Sequence, residues 1–170
     1  MFMIRPVADD EFEAALRMKN AAWREAYAGQ LSGEVLAGLD QRVDEQASWW
    51  REEVERGIAP PLVAVDPAGR IVGIAAGGPA RGDYPPVGTE LHMVYVLAEA
   101  YGTGLARALV ERSIGHAAAL VWVLETNPRA VAFYRKLGFE PDGAREPLSE
   151  RWNNCAEIRM VRGPQPQIVS

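Results

Sequence analysis

A glycine-rich junction between a strand and a helix is the first place where residue types and spacing suggest chemistry. An apolar strand that ends at Leu97 is followed by Tyr101-Gly102-Thr103-Gly104-Leu105-Ala106-Arg107 and then by an Ala- and Leu-rich stretch. Glycines at such a junction let successive backbone N–H groups point into one small space, and a helix N-terminus adds roughly half a positive charge. This arrangement suits a diphosphate. A tight turn without a ligand needs the same two glycines, so the glycines alone leave both interpretations open.

Spacing separates this loop from two other phosphate-binding loops. A Walker loop ends in Gly-Lys-Ser or Gly-Lys-Thr, and the sequence contains neither. The dinucleotide fingerprint G-x-G-x-x-G requires glycine where Arg107 stands. An acidic residue does occur about 20 positions further on, at Glu125, but the preceding strand does not open a βαβ unit. Dinucleotide binding is therefore the weaker interpretation.

Two titratable residues stand two positions apart in the strand predicted over residues 89–97. Side chains at i and i+2 of a strand project to the same face, so Glu90 and His92 can serve one site. Both residue types can transfer protons. The simpler alternative is that Glu90 is a solvated or salt-bridged strand residue.

The elements that position these residues alternate between strands and helices. Hydrophobic patterning and turn residues predict strands over 2–7, 62–65, 70–76, 89–97, 120–124 and 156–161, with a short strand after Gly138-Phe139. Helices are predicted over 33–39, 43–56, 105–118 and 127–137, together with a first helix that Asp9 or Asp10 caps and Gly29 ends. Residues 77–88, rich in Pro and Gly, are predicted as a loop. This order indicates an α/β fold with a mixed sheet and helices packed on it.

Length and composition restrict the class of protein. The 170 residues, 48% hydrophobic and 24% charged, predict one domain over 1–162 with a frayed tail over 163–170. The net charge of −5 argues against binding to nucleic acid or an anionic membrane, and no apolar run is long enough for a bilayer span or fits a signal peptide. One cysteine and two histidines leave little for a disulfide or a metal. We therefore expect a cytoplasmic enzyme or ligand-binding module that holds no metal.

Two separate motifs make the sequence resemble the GNAT superfamily of acetyl-coenzyme A-dependent N-acetyltransferases. The first is the signature Q/R-x-x-G-x-G/A, which residues 101–106 match except that Tyr101 replaces Gln or Arg. The second comprises Trp122-Val123-Leu124-Glu125-Thr126-Asn127, Ala130, Phe133-Tyr134 and Lys136-Leu137-Gly138-Phe139. Ile4-Arg5-Pro6 and residues 23–29 look like a common bacterial branch of unassigned substrate. The resemblance covers about residues 3–162.

The resemblance implies a fold and a cofactor site. The expected sheet is twisted and mostly antiparallel, has about six or seven strands flanked by four or five helices, and splays between its fourth and fifth strands to form a coenzyme A slot. The strand backbone would pair with the pantetheine amides, the glycine loop would hold the pyrophosphate, and Asn127 would hydrogen-bond the pantetheine arm. The implied cofactor-binding residues are Val94, Tyr95, Val96, Tyr101, Gly102, Thr103, Gly104, Leu105, Ala106, Arg107, Asn127 and Tyr134.

The implied reaction is direct transfer of acetyl from acetyl-CoA to a primary amine, with no enzyme nucleophile. An alkylammonium with a pKa near 10 is only about 0.1% neutral at pH 7, so it must lose a proton before it attacks. The resemblance assigns Tyr134 as the acid that protonates the departing thiolate. Glu90, alone or through a water, is the first candidate for the base and His92 the second.

A small-molecule amine is the expected acceptor, with no nucleic-acid or membrane partner. The candidate substrate residues are Tyr27, Trp23, His92 and Tyr84, although Trp23 also fits core packing. Trp49 and Trp50 point about 100° apart on a helix, which leaves one of them to line a pocket or a homodimer contact.

Two alternative functions stay open. One is a protein or peptide acetyltransferase acting on lysine or an N-terminus. Trp122 counts against the N-terminal activity, because it stands where such enzymes often carry Glu. The other is a non-catalytic coenzyme A-binding module, which Tyr101 alone supports.

Overall fold

The computed structural model describes residues 1–152 and 154–166, which contain seven strands and five α-helices. The strands are β1 (Met3–Pro6), β2 (Leu62–Val65), β3 (Ile71–Pro79), β4 (Thr89–Val96), β5 (Ala119–Leu124), β6 (Glu140–Pro147) and β7 (Ala156–Arg162). The helices are α1 (Phe12–Tyr27), α2 (Gly33–Ala37), α3 (Val43–Glu55), α4 (Leu105–Ile114) and α5 (Pro128–Lys136). No helix among these residues is long and apolar enough to cross a membrane.

The strands form one mixed sheet in the order β1-β2-β3-β4-β5-β7-β6. The pairs β1·β2, β2·β3, β5·β7 and β6·β7 are antiparallel. The pair β4·β5 is parallel, with Glu90 opposite Leu120 and Leu91 opposite Val121. A mixed, mostly antiparallel sheet flanked by helices confirms the predicted fold class. The separation of the fourth and fifth strands beyond this register stays a prediction.

The chain divides into two compact units, so the single domain expected over 1–162 also stays a prediction. The first unit comprises residues 1–76 and 93–113. Its sheet is covered on both faces: α1 and α3 pack on Val63 and Ile74, whereas α4 packs on Ala64 and Val72. Alternation along β2 places Val63 and Ala64 on opposite faces. On β3, Val72 and Ile74 are two residues apart but lie in different layers, because the β2–β3 register shifts at Ala64/Val65.

The second unit comprises residues 77–92 and 114–170. Phe139 is fully buried and its ring lies 5.8 Å from that of Tyr134 on α5. The guanidinium of Arg162 lies 5.0 Å from the same ring and donates to the carbonyls of Gly115 (2.6 Å) and Ala117 (3.2 Å). Met160, on the same side of β7 as Arg162, is also buried. The other side of β7, with Glu157 and Arg159, faces away from this core.

Three elements differ from their sequence-based predictions. β3 continues through Gly77 and Gly78 to Pro79, where a loop was expected. α4 ends at Ile114 rather than residue 118, because Gly115 adopts a positive φ of 56° that stops the helix. Neither Asp9 nor Asp10 caps α1: both lie in a short 3-10 turn, Asp9–Glu11, and Glu11 is the N-cap residue of α1.

The described part of the C-terminal tail folds back on the second unit. The backbone N–H of Gln165 donates to the carbonyl of His116 at 2.8 Å. Residues 167–170 lie outside the described residues, and for them the predicted fraying stays a prediction.

Candidate active site

The glycine loop between β4 and α4 presents unsatisfied N–H groups at a helix N-terminus. Gly102 and Gly104 have positive φ values of 75° and 84°, and an added Cβ at either position would meet nothing within 4 Å. Thr103 Oγ1 accepts from the N–H of Leu105 at 3.3 Å, whereas no described residue supplies an acceptor for the N–H groups of Ala106 and Arg107. The first turn of a helix leaves its N–H groups to caps, water or ligands. The loop therefore has the open space and the free donors that an anion requires.

Charge at this loop comes from one arginine that is already paired. Arg107 Nε donates to Glu111 Oε1 at 2.9 Å, one turn along α4. The Arg107 side chain is 61% exposed, so the pair is weak and the guanidinium can be redirected to a phosphate at little cost. Tyr101 closes the preceding turn with an N–H that donates to Ala98 at 3.0 Å.

Aromatic residues of the first unit gather where α1 meets β4. The rings of Trp23 and Tyr27 lie 4.8 Å apart, and the rings of Trp23 and Tyr95 lie 5.8 Å apart. Tyr27 is 7% exposed and Trp23 is partly buried. Tyr95 packs toward α1 and α3, whereas Val94 and Val96 pack toward α4. These contacts bring together two of the predicted substrate residues and one predicted cofactor residue.

Asn127 and Tyr134 belong to the second unit, where α5 follows β5. Asn127 Oδ1 accepts from the N–H of Ala130 at 3.1 Å and so caps α5, which starts with Pro128. Tyr134 is 7% exposed and packs edge-on against Phe133 and Phe139. The cap and the ring contacts fix both side chains on a short, well-anchored helix.

Glu90 is buried and engaged by a single arginine. Its side chain is 2% exposed and accepts from the backbone N–H of Arg81 (2.9 Å), from Arg81 Nε (3.2 Å) and from Arg81 Nη2 (2.6 Å). Burial raises the pKa of Glu90, but the hydrogen bonds and charge of Arg81 outweigh burial and hold that pKa below its ordinary value. A lowered pKa makes Glu90 a weaker proton acceptor than a free carboxylate.

Two further predicted site residues are close to this ion pair in the sequence: Tyr84 lies between Arg81 and Glu90, and His92 follows Glu90 by two positions. His92 Nε2 lies 3.2 Å from the carbonyl oxygen of Pro79. Tyr84 lies in the loop after β3, and its side chain is 96% exposed. The structure thus places Glu90, His92 and Arg81 together but leaves Tyr84 at the surface.

One carboxylate that sequence reasoning did not select lies on the same face. Glu157 on β7 is partly buried and faces Leu124 of β5 in the antiparallel register. Burial and the nearby Glu146 raise its pKa, and Glu90 adds to this effect, whereas Arg81 opposes it. In the sequence, Glu157 is one of several charged residues in an alternating strand, a pattern typical of solvent-facing positions. No local sequence feature distinguishes Glu157 from those other charged residues.

Metal chemistry has no evident ligand set at these positions. Within residues 1–152 and 154–166, no group of three or more His, Cys, Asp or Glu side chains could hold a metal ion. The groups that the two units offer are backbone N–H donors, an aromatic cluster, a buried ion pair and a partly buried carboxylate.

Comparison with known proteins identifies the family of the chain. The sequence profile of the acetyltransferase (GNAT) family matches residues 17–139. The chain is similar to the uncharacterized N-acetyltransferase YuaI of Bacillus subtilis, with 26% identity over 79% of this chain and 78% of that protein. It is also similar to the L-methionine sulfoximine/L-methionine sulfone acetyltransferase of Pseudomonas aeruginosa, with 29% identity over 68% of this chain and 70% of that protein.

A solved structure shares the fold. The PaiA N-acetyltransferase of Thermoplasma acidophilum, in complex with coenzyme A, superimposes with a TM-score of 0.70 and 16% identity over 96% of this chain and 99% of that chain. The profile match over residues 17–139 carries the family assignment, and the shared fold agrees with it. The chain belongs to the GNAT family of acetyltransferases.

Proposed function

We propose that this acetyltransferase moves the acetyl group of acetyl-CoA to a primary amine of a small molecule by direct attack. The observation that carries the proposal is the loop at residues 102–107, where two positive-φ glycines and the unsatisfied N–H groups of Ala106 and Arg107 provide an anion site. Coenzyme A carries a pyrophosphate of the matching charge. The PaiA structure contains coenzyme A, which supports the same cofactor here.

The residues that hold acetyl-CoA are assigned from the family motifs. Residues 101–107 take the pyrophosphate, and the backbone of Val94, Tyr95 and Val96 pairs with the pantetheine amides. Asn127 contributes its amide to the pantetheine arm, although its Oδ1 already caps α5. The cap uses the amide oxygen, whereas the proposed contact with the pantetheine arm uses the amide N–H groups.

Tyr134 is proposed as the acid that protonates the leaving thiolate. A phenol has a pKa near 10 and can transfer a proton to sulfur as the carbon–sulfur bond breaks. Its ring is held between Phe133 and Phe139, so its position is fixed before the reaction. Since the amine attacks the thioester directly, the enzyme needs no nucleophile of its own.

A small-molecule amine is the proposed acceptor. The Pseudomonas aeruginosa relative is named for acetylation of two amino-acid derivatives. On this chain, Trp122 packs under the guanidinium of Arg159, 5.7 Å from the ring centroid. That pair occupies the position where acetyltransferases of protein N-termini often carry Glu. Trp23 and Tyr27 are proposed to contact the acceptor from α1.

Replacing Tyr134 with Phe tests the catalytic part of the proposal. We expect release of the coenzyme A thiol, measured with a panel of primary amines, to fall by about 10- to 1,000-fold. Acetyl-CoA affinity, measured by calorimetry, should not change, because Phe preserves the ring packing. Equal turnover by the wild type and the variant would show that Tyr134 is not the acid.

A further inference from the structure

Glu25 on α1 belongs to the segment 23–29 that resembles a bacterial branch of the family, and no role proposed above uses it. We infer that Glu25 is a positioning residue for the coenzyme A loop: its carboxylate holds the turn from which residues 101–107 start. The inference rests on the proposed function, because it concerns how strongly that loop binds coenzyme A. Every residue in the argument belongs to the first unit.

The contact that carries the inference joins Glu25 to the backbone of Ala98. The N–H of Ala98 donates to Glu25 Oε2 at 2.7 Å, although the two residues are 73 positions apart in the sequence. Ala98 begins a short 3-10 turn, Ala98–Ala100, and the side chain of Leu97 before it cannot accept a hydrogen bond. The first N–H groups of a helical turn need acceptors from outside that turn. A carboxylate on α1 therefore replaces the missing local cap.

Hydrogen bonds continue from this capped turn into the glycine loop. The carbonyl of Ala98 accepts from the N–H of Tyr101 at 3.0 Å. The carbonyl of Ala100 accepts from Thr103 Oγ1 at 2.7 Å, and Thr103 Oγ1 in turn accepts from the N–H of Leu105 at 3.3 Å. A displacement of the turn is therefore passed on to the start of α4, whose N–H groups are proposed to take the pyrophosphate.

The C-terminal half of α1 gives Glu25 a fixed base. Asp40 accepts from Asn20 Nδ2 and from Arg24 Nη2, each at 2.9 Å, and Asn20 is buried. Arg24 Nε also donates to the carbonyl of Leu36 at 3.2 Å. These contacts join α1 to the segment that follows it in the chain. The position of Glu25 is therefore set independently of the glycine loop.

Another side-chain contact of the same turn is weaker. Arg70 Nη2 lies 2.7 Å from Glu99 Oε1 and 2.8 Å from Asp66 Oδ2, so the two carboxylates share one guanidinium. The Arg70 and Glu99 side chains are both more than half exposed, and such an ion pair must order two flexible side chains. The bond from Ala98 orders one side chain against a backbone N–H. Glu25 is therefore the stronger of these two anchors.

The two glycines make the loop sensitive to the loss of an anchor. Gly102 and Gly104 have wide backbone freedom, and the space around each of them is open. When the turn before them is loosened, fewer molecules hold the N–H groups of the loop in the arrangement that binds a pyrophosphate. The apparent affinity falls by the same fraction. Loss of a hydrogen bond to a charged group can lower this population by about tenfold.

The charge of Glu25 separates this role from direct contact with the cofactor. A carboxylate repels a pyrophosphate, so the loop uses the acceptor oxygen of Glu25 rather than its charge. Glu25→Gln removes the charge but keeps an oxygen that can accept from Ala98, whereas Glu25→Ala removes both. Glutamine should therefore restore the affinity that alanine loses.

Calorimetric titration with coenzyme A of the wild type, Glu25→Ala and Glu25→Gln tests the inference. We expect the dissociation constant to rise about tenfold for Glu25→Ala and to stay within about threefold of the wild type for Glu25→Gln. Glu13→Ala is the matched control on the same helix. Both oxygens of Glu13 accept from Arg51 of α3 at 2.8 Å, and neither residue contacts the turn. This variant should leave the dissociation constant unchanged.

Amide NMR resonances of Ala106 and Arg107 provide a second measurement on the same proteins. In free Glu25→Ala these resonances should shift, because the loop they belong to has been loosened. At saturating coenzyme A they should return to the positions seen in the wild-type complex, since the bound cofactor orders the loop. In Glu13→Ala they should match the wild type throughout.

The possible failures are distinguishable. An unchanged dissociation constant for Glu25→Ala, an equal loss in Glu13→Ala, or no rescue by Glu25→Gln overturns the role of Glu25, while binding of coenzyme A by the wild type upholds the proposed cofactor site. Unshifted resonances of Ala106 and Arg107 in free Glu25→Ala also overturn that role. A wild type that does not bind coenzyme A overturns the proposed function and the inference with it.

Discussion

The ion pair between Arg81 and Glu90 makes removal of the arginine more damaging than neutralisation of the glutamate. The Arg81 side chain is 68% exposed, whereas that of Glu90 is 2% exposed. A lone arginine at this position would remain hydrated, but a lone carboxylate would be a buried, unpaired charge. Arg81→Ala leaves the carboxylate only the N–H of residue 81 as a donor, and we expect it to cost about 3 kcal/mol of unfolding free energy.

Glu90→Gln removes the charge but keeps an oxygen that can accept from Arg81. We expect this variant to lose about 1 kcal/mol of unfolding free energy, which is the difference between charge-assisted and neutral hydrogen bonds. Urea denaturation monitored by tryptophan fluorescence would measure both variants and the double variant. Since the double variant contains no unpaired carboxylate, it should be more stable than Arg81→Ala alone. A double variant less stable than Arg81→Ala would refute the reasoning.

Acidification should change the contribution of Glu90 to the unfolding free energy in opposite directions in the wild type and in Arg81→Ala. In the wild type the folded pKa of Glu90 lies below its ordinary value of 4.5, so its contribution is present above pH 4.5 and is lost as the pH falls below that value. Without Arg81, burial raises the folded pKa above 4.5, and protonation then stabilises the folded state as the pH falls. The stability gap between the two proteins should therefore narrow between about pH 7 and about pH 5. A gap that is constant over this range would contradict the assigned electrostatics.

Three further predictions concern other residues. Gly104→Ala should weaken acetyl-CoA binding by at least about tenfold and lower the unfolding free energy by about 1–2 kcal/mol. Gly69→Ala, which has the same positive φ of 84° in the β2–β3 turn, should cost a similar amount of stability and leave binding unchanged. Calorimetry measures the binding, and urea denaturation measures the stability. Lys19→Met should raise the unfolding free energy by about 1 kcal/mol at neutral pH, because burial lowers the pKa of Lys19 and no described residue pairs with it. This gain should shrink as the pH rises through the lowered pKa of Lys19. An unchanged melting temperature would refute the prediction. Arg5 lowers the pKa of Glu11 to about 2. Glu11 should therefore contribute about 1 kcal/mol of unfolding free energy that is present above pH 4.5 and is lost as the pH falls toward 2. Glu11→Gln should flatten the acid denaturation curve between these pH values, and an equally steep curve would contradict the pairing.

The order of strands and helices was largely predictable from sequence because burial imposes regular spacing on apolar residues. The helical spacing of Leu16, Trp23 and Tyr27 predicted α1, and the apolar run around Val121 predicted β5. Prediction failed where tertiary contact overrode local preference. Gly77 and Gly78 are weak strand formers, yet β3 continues through them, and a Cβ at Gly78 would lie 3.4 Å from the His92 ring.

The glycine turn before α4 could be predicted because its signals are local: the glycines, the strand end and the helix start are consecutive in sequence, and Gly102 and Gly104 have positive φ. Anion binding by this turn stays a prediction. The pairing of Arg81 with Glu90 could not be predicted, since it depends on how residues 80–88 close, with the N–H of Ala80 donating to Gly88 at 3.0 Å. Glu157 could not be predicted either. Its environment is set by Glu146 and Leu124, which reach it only through strand registers that span many residues.

Calorimetric titration of the wild-type protein with acetyl-CoA, coenzyme A and NAD tests the central claim most directly. The N–H groups and the spacing of residues 102–107 predict micromolar binding of acetyl-CoA and coenzyme A, and no binding of NAD. Failure to bind acetyl-CoA would contradict the assignment of this loop and the acetyl transfer that depends on it.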